Sequence, residues 1–421
     1  MHNYKWFLLL VVVCCGASRA DDTAEQFSRG AYLVKMGDCA ACHTSKQGKT
    51  FAGGLKISTP AGAIYSTNIT PDKETGIGDY SYDDFARAMR KGVAKDGHRL
   101  YPAMPYPSFA KINDEDMSAL YTWFMYGVKP VAQANRENAL PWPLNMRWTL
   151  ALWNWLFLDD GFVPDTAQSA EWERGAYLVQ GLGHCGACHT PRGVVFQEKA
   201  LDQREEGYLR GARLDGWYAP DLTGYSHGGP GSWSKDDIRI WLKTGHNGKS
   251  AAFGPMAEVV EKSTQYLTDN DADAIAVYLR SLKPARRVIS PPANDPATGM
   301  ELARGNDSQT GAKEYVDNCA ACHRLDGNGY TSTFPALAQN SVVLSDDPSS
   351  LINLVLYGGR TPVTRDALSG LPMPAFGWRL NDQQAADVVT FIRNGWGNRA
   401  SVVTAEQVKA LRNRESASAG K

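Results

Sequence analysis

The chain has 421 residues, which is enough for about two to four domains. Its 44 Lys and Arg residues nearly balance its 45 Asp and Glu residues, and the formal net charge at pH 7 is −1. Without a basic excess, no nucleic-acid partner is predicted. Two of the eight cysteines lie near the N-terminus, and the other six form three pairs in which the two cysteines are three positions apart. None is left for a structural disulfide.

The N-terminal residues predict a secretory signal over 1–20. Lys5 precedes an apolar run at residues 6–15, and Ala20 provides a small residue at the expected cleavage site. Ten apolar residues are too few to cross a bilayer. A lipoprotein signal, with Cys14 or Cys15 acylated, is a weaker alternative because the residue before either cysteine is not small. Export of the chain is therefore predicted.

Three C-x-x-C-H motifs recur along the chain. Two thiols three positions apart lie on one face of a helical turn, about the spacing of the two vinyl groups of a haem, and the adjacent imidazole can bind the iron. One isolated C-x-x-C pair could equally be a zinc half-site or a redox disulfide, but three copies, each followed by His, favour three covalent haems c. The predicted attachment residues are Cys39, Cys42 and His43, then Cys185, Cys188 and His189, and finally Cys319, Cys322 and His323.

A methionine is predicted as the second axial ligand of each iron, because a thioether there gives an electron-transfer site. Met256 is the only methionine between residues 160 and 290, and Met373 is the only one beyond His323. The first segment contains several, but only Met104 shares the proline-flanked setting, in which proline is expected to stiffen the loop that holds the sulfur. The predicted axial pairs are His43 with Met104, His189 with Met256, and His323 with Met373.

A second histidine is the competing choice of axial ligand. The segment beyond His323 has no other histidine, which excludes this choice for the third haem. His98 and His246 lie shortly before Met104 and Met256 and are the plausible competitors for the first two haems. All four of these histidines, His98, His184, His227 and His246, are nevertheless expected to be surface or loop residues.

The surroundings of the three motifs also repeat, and they predict a mainly α fold of three tandem cytochrome c domains. Each repeat opens with a helix containing a glycine and closes with a helix containing an aromatic residue, and the two helices are expected to cross where the glycine permits close approach. The glycines are Gly30, Gly175 and Gly311, and the aromatic residues are Trp123, Tyr278 and Phe391. Asn113, Thr268 and Asn381 are predicted to cap the closing helices. The predicted boundaries are 1–20 for the signal, 21–135, 166–285 and 299–398 for the domains, 136–165 and 286–298 for the linkers, and 399–421 for a polar tail.

The first linker contains an unusual apolar segment at residues 145–158, with three Trp residues. At about 14 residues it is too short to span a membrane. One interpretation is a buried connector between the first two domains. The other is a patch that docks a partner subunit or enters the membrane interface, where Trp is favoured. The charged tail, in contrast, predicts at most a short helix at 404–412 and otherwise a solvated or disordered segment.

Several further sequence features resemble one known family, the three-haem cytochrome c subunits of bacterial membrane-bound dehydrogenases for alcohols, sugars and sugar acids. They are R-G-A-Y-L-V before Cys39 and Cys185, F-A-G-G at 51–54, S-T-N-I-T-P-D at 66–72, T-G-I-G at 75–78 and Y-P-A-M-P-Y at 101–106. The resemblance covers residues 25–398. It is greatest, within the family, to the cytochrome subunits of gluconate 2-dehydrogenases.

This resemblance implies an electron-transfer subunit without substrate chemistry of its own. It implies a catalytic partner subunit with flavin or pyrroloquinoline quinone, a small third subunit, and ubiquinone as electron acceptor. It also implies peripheral attachment to the periplasmic side of the cytoplasmic membrane. The alternatives are a subunit of a quinoprotein alcohol dehydrogenase or another sugar or polyol dehydrogenase, a free periplasmic electron shuttle and, more weakly, a haem peroxidase.

Overall fold

The computed structural model of the chain describes residues 10–59, 62–159, 161–224, 229–284, 293–331, 333–368 and 370–419. These residues form two compact units. The first unit runs to Val163 and includes Gly181–Gly183, and the second comprises Pro164–Gln180 and continues from His184. The first repeat therefore lies in one unit, and the second and third repeats together form the other.

The first unit is mainly helical, with one small antiparallel hairpin. Its helices are α1 (Leu10–Met36), α2 (Cys39–His43), α3 (Tyr82–Lys91), α4 (Tyr106–Phe109), α5 (Asp114–Gly127) and α6 (Leu150–Phe157), with a 3₁₀ turn at Arg147–Thr149. Strands β1 (Lys56–Thr59) and β2 (Gly62–Tyr65) pair in the register Lys56 with Tyr65 and Ile57 with Ile64. The predicted signal at 1–20 overlaps residues 1–9, which lie outside the described part of the chain, and it stays a prediction.

The second unit contains two further sets of the same elements. The second repeat has α7 (Ala170–Gln180), α8 (Gly186–His189), α9 (Lys235–Thr244), α10 (Gly254–Lys262) and α11 (Asp269–Ser281), with 3₁₀ turns at Pro230–Ser232 and Thr264–Tyr266. The third has α12 (Ala297–Ala303), α13 (Ala312–Asn318), α14 (Ala320–His323), α15 (Ser341–Leu344), α16 (Ser349–Tyr357), α17 (Asp382–Asn394) and α18 (Ala405–Ala419). Three antiparallel pairs complete the unit: β3 (Arg210–Leu214) with β4 (Trp217–Asp221), β5 (His246–Asn247) with β6 (Ser250–Ala251), and β7 (Gly359–Arg360) with β8 (Pro372–Met373).

The closing helices begin where the capping residues predict. The side chains of Asn113, Thr268 and Asn381 each accept a hydrogen bond from a backbone N–H in the first helical turn. This bond satisfies one of the amides that have no partner within a helix. The middle helices α3 and α9 begin with full capping boxes, formed by Ser81 with Asp84 and by Ser234 with Asp237.

The first and last helices of each repeat approach closely at a glycine. A Cβ atom added to Gly30 would lie 2.2 Å from the Ala119 carbonyl oxygen, and one added to Gly175 would lie 2.0 Å from the Ala274 carbonyl oxygen. Only a hydrogen atom fits at these crossings. The predicted aromatic residue lies beside the glycine at both crossings. The Cβ added to Gly30 would lie 2.7 Å from the Trp123 Cβ, and the one added to Gly175 would lie 2.9 Å from the Tyr278 Cβ.

The third repeat achieves the crossing differently. Gly311 has a φ of +82°, in the left-handed region, and caps α13 at its N-terminus. A Cβ there would lie 2.1 Å from the Asp387 carbonyl oxygen, one turn before Phe391. Phe391 itself packs on Tyr315 of α13, with ring centroids 5.4 Å apart.

The second and third repeats are joined by polar contacts as well as packing. Asn353 of α16 donates from Nδ2 to the Gly216 carbonyl oxygen at 2.9 Å, and the Tyr218 backbone N–H donates to Ser350 Oγ at 2.9 Å. Glu261 of α10 accepts from Arg360 at 2.7 Å and from the Val363 N–H at 2.8 Å. The second and third sets of helices therefore form one body.

The C-terminal segment differs from the prediction. Val403 and Val408 are buried against the third repeat, and Arg412 donates to Asp382 at 2.8 Å and to the Gly377 carbonyl oxygen at 2.6 Å. The prediction placed a short helix at 404–412, and the structure has a helix there, but it packs on the third repeat and is not solvated as expected. The helix also extends beyond the predicted end, to Ala419.

The segment predicted as the first linker packs on the first repeat. Asn138 Oδ1 accepts from the Tyr65 N–H at 2.8 Å, and the Ala139 N–H donates to the Ala63 carbonyl oxygen at 2.8 Å. The interpretation of residues 145–158 as a buried connector is wrong for Trp148 and Trp155, which are 72% and 78% exposed. Among the described residues, no helix is long and apolar enough to cross a membrane.

Candidate haem-attachment sites

Each C-x-x-C-H motif forms a short helical turn directly after the opening helix of its repeat. The turns are α2, α8 and α14, and each ends at the motif histidine. None of the six motif cysteines forms a disulfide bond. No group of three or more His, Cys, Asp and Glu side chains in the described ranges could hold a metal ion.

The entry into the first two turns uses an uncommon backbone conformation. Asp38 and His184, each directly before the first motif cysteine, have φ values of 49° and 36°. Non-glycine residues seldom adopt this left-handed region. The conformation redirects the chain from the opening helix into the cysteine turn. Asp and His are among the non-glycine residues that adopt it most often.

The ring of each motif histidine is oriented by a backbone carbonyl group. His43 Nδ1 lies 2.7 Å from the Thr67 oxygen, His189 Nδ1 2.8 Å from the Pro220 oxygen, and His323 Nδ1 2.9 Å from the Pro335 oxygen. A carbonyl oxygen only accepts hydrogen bonds, so Nδ1 carries the proton in all three rings. Nε2 is then left with a lone pair for the iron.

Burial also keeps these rings neutral. It lowers the pKa of His43, of His189 and of His323 below the ordinary histidine value, against the opposing effect of the carbonyl hydrogen bond. Neutral imidazole is the form that binds iron. The electrostatics and the hydrogen bonds therefore select the same tautomer at all three sites.

The first cysteine of each motif is poorly suited to redox exchange. Burial raises the pKa of the Cys39, Cys185 and Cys319 thiols to about 12 in each case. Redox-active C-x-x-C pairs depend on a lowered thiol pKa. The donor set at each site, with two cysteines outside any disulfide and a neutral imidazole that presents Nε2, therefore fits a covalent haem c.

The carbonyl that orients His43 belongs to the sequence S-T-N-I-T-P-D at residues 66–72. Asn68 fixes this segment, because its side chain donates to the Val131 carbonyl oxygen at 2.8 Å and accepts from the Thr70 N–H at 2.9 Å. The Gly53 N–H donates to the His43 carbonyl oxygen at 2.8 Å, in a turn where Gly53 has a φ of +73°. The structure thus gives both quoted motifs, F-A-G-G and S-T-N-I-T-P-D, a role in holding the histidine.

The three predicted methionine ligands lie in three different local structures. Met104 is in a turn before α4, Met256 is in the first turn of α10, and Met373 is in strand β8, paired with Gly359. All three side chains are half-buried. The expectation of a proline-stiffened loop is wrong for Met256, because Pro255 occupies the first helical turn, where proline is well tolerated. Ligation by these methionines stays a prediction.

The competing histidines are engaged elsewhere or partly buried. His98 Nδ1 lies 2.5 Å from Asp96 Oδ1 on the surface of the first unit. His246 is half-buried in β5, and burial lowers the pKa of its ring. His227 lies outside the described residues.

Comparison with known proteins agrees with this geometry. The cytochrome c family model matches residues 27–126, 172–283 and 308–396, and each segment contains one C-x-x-C-H motif. The chain belongs to the cytochrome c family. Its fold is three tandem cytochrome c domains with covalently bound haem c, its role is electron transfer, and the three matched segments agree with a count of three haems.

Several curated proteins are similar over nearly the whole chain. The gluconate 2-dehydrogenase cytochrome c subunit of Pantoea cypripedii is 54% identical, with 96% of this chain and 93% of that protein covered. The alcohol dehydrogenase (quinone) cytochrome c subunit of Gluconobacter oxydans (strain 621H) is 47% identical, with 96% and 86% covered. The fructose dehydrogenase cytochrome subunit of Gluconobacter japonicus is 40% identical, with 91% and 82% covered.

Proposed function

We propose that this chain is the cytochrome c subunit of a gluconate 2-dehydrogenase. In this role it accepts electrons from a flavin-dependent catalytic subunit that oxidises D-gluconate to 2-dehydro-D-gluconate, and delivers them to ubiquinone. The observation that carries the proposal is the 54% identity to the Pantoea cypripedii subunit over almost the full length of both chains. A small third subunit and export to the periplasmic side of the cytoplasmic membrane complete the proposal.

The haems supply reversible one-electron chemistry when bound. The chain's own residues set the conditions for it. The carbonyl groups of Thr67, Pro220 and Pro335 fix the proximal rings, and we assign Met104, Met256 and Met373 as the distal ligands. The histidine side and the methionine side of the second site both lie close to the third repeat. Strand β4 orients His189 and is hydrogen-bonded to Ser350, and helix α10 carries Met256 and is hydrogen-bonded to Arg360. This proximity supports electron exchange between the second and third centres.

A quinoprotein alcohol dehydrogenase is the second candidate for the complex. The Gluconobacter oxydans subunit is only 7 percentage points less identical than the Pantoea cypripedii one and covers the same 96% of this chain. A cytochrome subunit makes no contact with the substrate of its partner, so the substrate leaves little trace in its sequence. Only a substrate comparison separates the two candidates.

The decisive test uses membranes that contain this subunit with its native partners. Quinone reduction is measured with gluconate, ethanol, sorbitol and fructose side by side, and membranes lacking this subunit serve as the control. Gluconate-dependent reduction that disappears in the control is the expected result. Ethanol as the only good substrate would instead assign the chain to the alcohol dehydrogenase group.

Copurification tests the rival function of a free periplasmic shuttle. The proposal expects the native protein to elute together with a dehydrogenase subunit after mild detergent extraction. Elution of the cytochrome alone, under conditions where gluconate oxidation remains in another fraction, would support the shuttle.

A further inference from the structure

One side of the segment around α6 is apolar and exposed. Trp148, Leu152, Trp155 and Leu156 are 72%, 59%, 78% and 54% exposed. Their spacing, i, i+4, i+7 and i+8, places them on one side of a helix. Trp142, at 77% exposure, precedes them. These five residues are called the indole face below.

The opposite side of α6 is fixed on the first repeat. Leu150 is buried, and the Trp153 ring packs on Tyr106 with centroids 6.0 Å apart. Tyr106 donates its hydroxyl hydrogen to Asn154 Oδ1 at 2.7 Å, and Asn154 Nδ2 donates to the Lys91 carbonyl oxygen at 2.8 Å. These specific bonds hold the helix in one orientation, with the indole face turned away from its own domain.

The charges around the indole face are mainly basic, with one exposed acid, Asp159, directly after the apolar segment. Arg147 is the only charged residue between positions 138 and 158, and its guanidinium donates to the Arg99 carbonyl oxygen at 2.6 Å and lies 4.7 Å from the centre of the Tyr101 ring. Lys91 and Arg99, whose carbonyl groups receive these bonds, flank the base of the helix. Three basic residues beside one acid leave this rim with a net positive charge, to which anionic lipid headgroups are complementary.

The chemistry of the face suits the interfacial region of a bilayer. Trp prefers the boundary between headgroups and acyl chains, where its ring is buried and its N–H stays near polar groups. The eight residues of α6 extend only about 12 Å, far less than the hydrocarbon thickness of about 30 Å. A helix of this length can lie along the surface but cannot cross it.

We propose that the indole face is the surface by which this chain enters the headgroup region of an anionic membrane. The inference rests on the proposed function in one respect, because a subunit that delivers electrons to ubiquinone has to work at a membrane surface. It adds the location of the contact, which is the first repeat, and its ligand, which is the lipid itself.

The test measures sedimentation of the full-length haem-loaded protein with vesicles of phosphatidylcholine and phosphatidylglycerol. The double variant Trp148→Ser/Trp155→Ser should partition at least about tenfold less than the parent, because two interfacial rings are lost. Vesicles of phosphatidylcholine alone should bind the parent more weakly. Trp378→Ser, which removes an 82% exposed Trp from the third repeat, is the matched control and should bind as the parent does.

Two outcomes overturn the inference. One is unchanged binding of the double variant to the mixed vesicles. The other is protection of Trp148 and Trp155 from oxidation by a purified dehydrogenase subunit but not by vesicles, which would identify a protein partner. Leu152→Asp, with a normal haem spectrum as proof of folding, replaces the double variant if that variant misfolds. The vesicle assay contains no substrate or partner subunit, so its result does not depend on the proposed function. If the protein binds vesicles but membranes that contain it show no gluconate-dependent quinone reduction, only the proposed function fails.

Discussion

Each motif histidine depends on an acceptor that has no side-chain signature. The carbonyl groups that orient His43, His189 and His323 lie 24, 31 and 12 residues further along the chain, at a threonine and two prolines. The contiguous C-x-x-C-H pattern predicts the attachment residues, because covalent haem chemistry fixes their spacing. The orienting groups are backbone atoms whose positions depend on the fold, so sequence reasoning did not find them.

At the same scale, Met373→Ala should leave the third haem without its distal ligand. Loss of the thioether should lower the reduction potential of that haem and open its iron to carbon monoxide. The far-red sulfur-to-iron charge-transfer band of the oxidised protein should fall by about one third, because one of three equivalent ligand pairs is removed.

Met300→Ala provides the control for this measurement, because Met300 is 47% exposed on α12 of the same repeat. It should leave the band and the carbon monoxide response unchanged. An unaltered spectrum in Met373→Ala would show that this methionine is not the ligand.

The helices of this chain were predictable where local chemistry defines them. Caps at Asn113, Thr268 and Asn381 and glycines at Gly30 and Gly175 can be recognised in the repeat, and the structure has the expected contacts. A short helix at 404–412 was predicted, but the docking of α18 was not, because two valines among many charges form too weak a pattern. Its position is determined by tertiary contacts.

Replacing Gly175 with Ala should destabilise the second unit by about 1–3 kcal/mol, because a Cβ there would clash with the Ala274 carbonyl oxygen and the helices would have to separate. Denaturant unfolding followed by haem absorbance measures the change. Gly248→Ala is the matched control, since a Cβ at Gly248 meets no atom within 4 Å. Equal unfolding midpoints for the two variants would contradict the close helix crossing.

Val408→Asp should detach α18 from the third repeat. Val408 is fully buried, so a carboxylate there would be desolvated without a partner, at a cost of about 3 kcal/mol or more unless the helix leaves its site. Hydrogen exchange of the α18 amides should become fast. Val402→Asp, at a position 66% exposed, should leave exchange unchanged. Slow exchange in both variants would show that the helix does not need Val408.

For the whole molecule, the sequence predicted three repeats but not their grouping. The residues that join the second and third repeats include Gly216, Ser350 and Asn353, which are common loop and helix residues with no recognisable motif. A repeat is visible because its elements recur along the chain. An interface between repeats depends on surfaces that come together only after both have folded.

Glu261 provides the sharpest test of this grouping. Burial alone would raise the pKa of Glu261, but the hydrogen bonds from Arg360 and Val363 outweigh it and hold the pKa below the ordinary value of 4.5. A lowered folded-state pKa means that the contact stabilises the protein fully above pH 4.5 and that this stability is lost as the pH falls through the folded-state value.

Glu261→Gln should therefore lower the melting temperature of the second unit at neutral pH by about 2–4 °C, the change expected for about 1 kcal/mol in a body of this size. The estimate is modest because the Arg360 side chain is 53% exposed. Calorimetry at pH 7 should also show the second and third repeats of the parent unfolding in one transition, with the variant broadening or splitting it.

Glu258→Gln is the comparison variant on the same helix, because Glu258 pairs with Lys262 in an exposed position and acts on Arg360 only through a smaller electrostatic interaction, without a hydrogen bond. Its melting temperature should change much less than that of Glu261→Gln. As the pH falls through the folded-state pKa of Glu261, the parent and Glu261→Gln curves should converge, since protonation removes the same charge that the substitution removes. A difference that persists in acid would assign the effect to packing, and identical curves at pH 7 would show that the ion pair does not couple the two repeats.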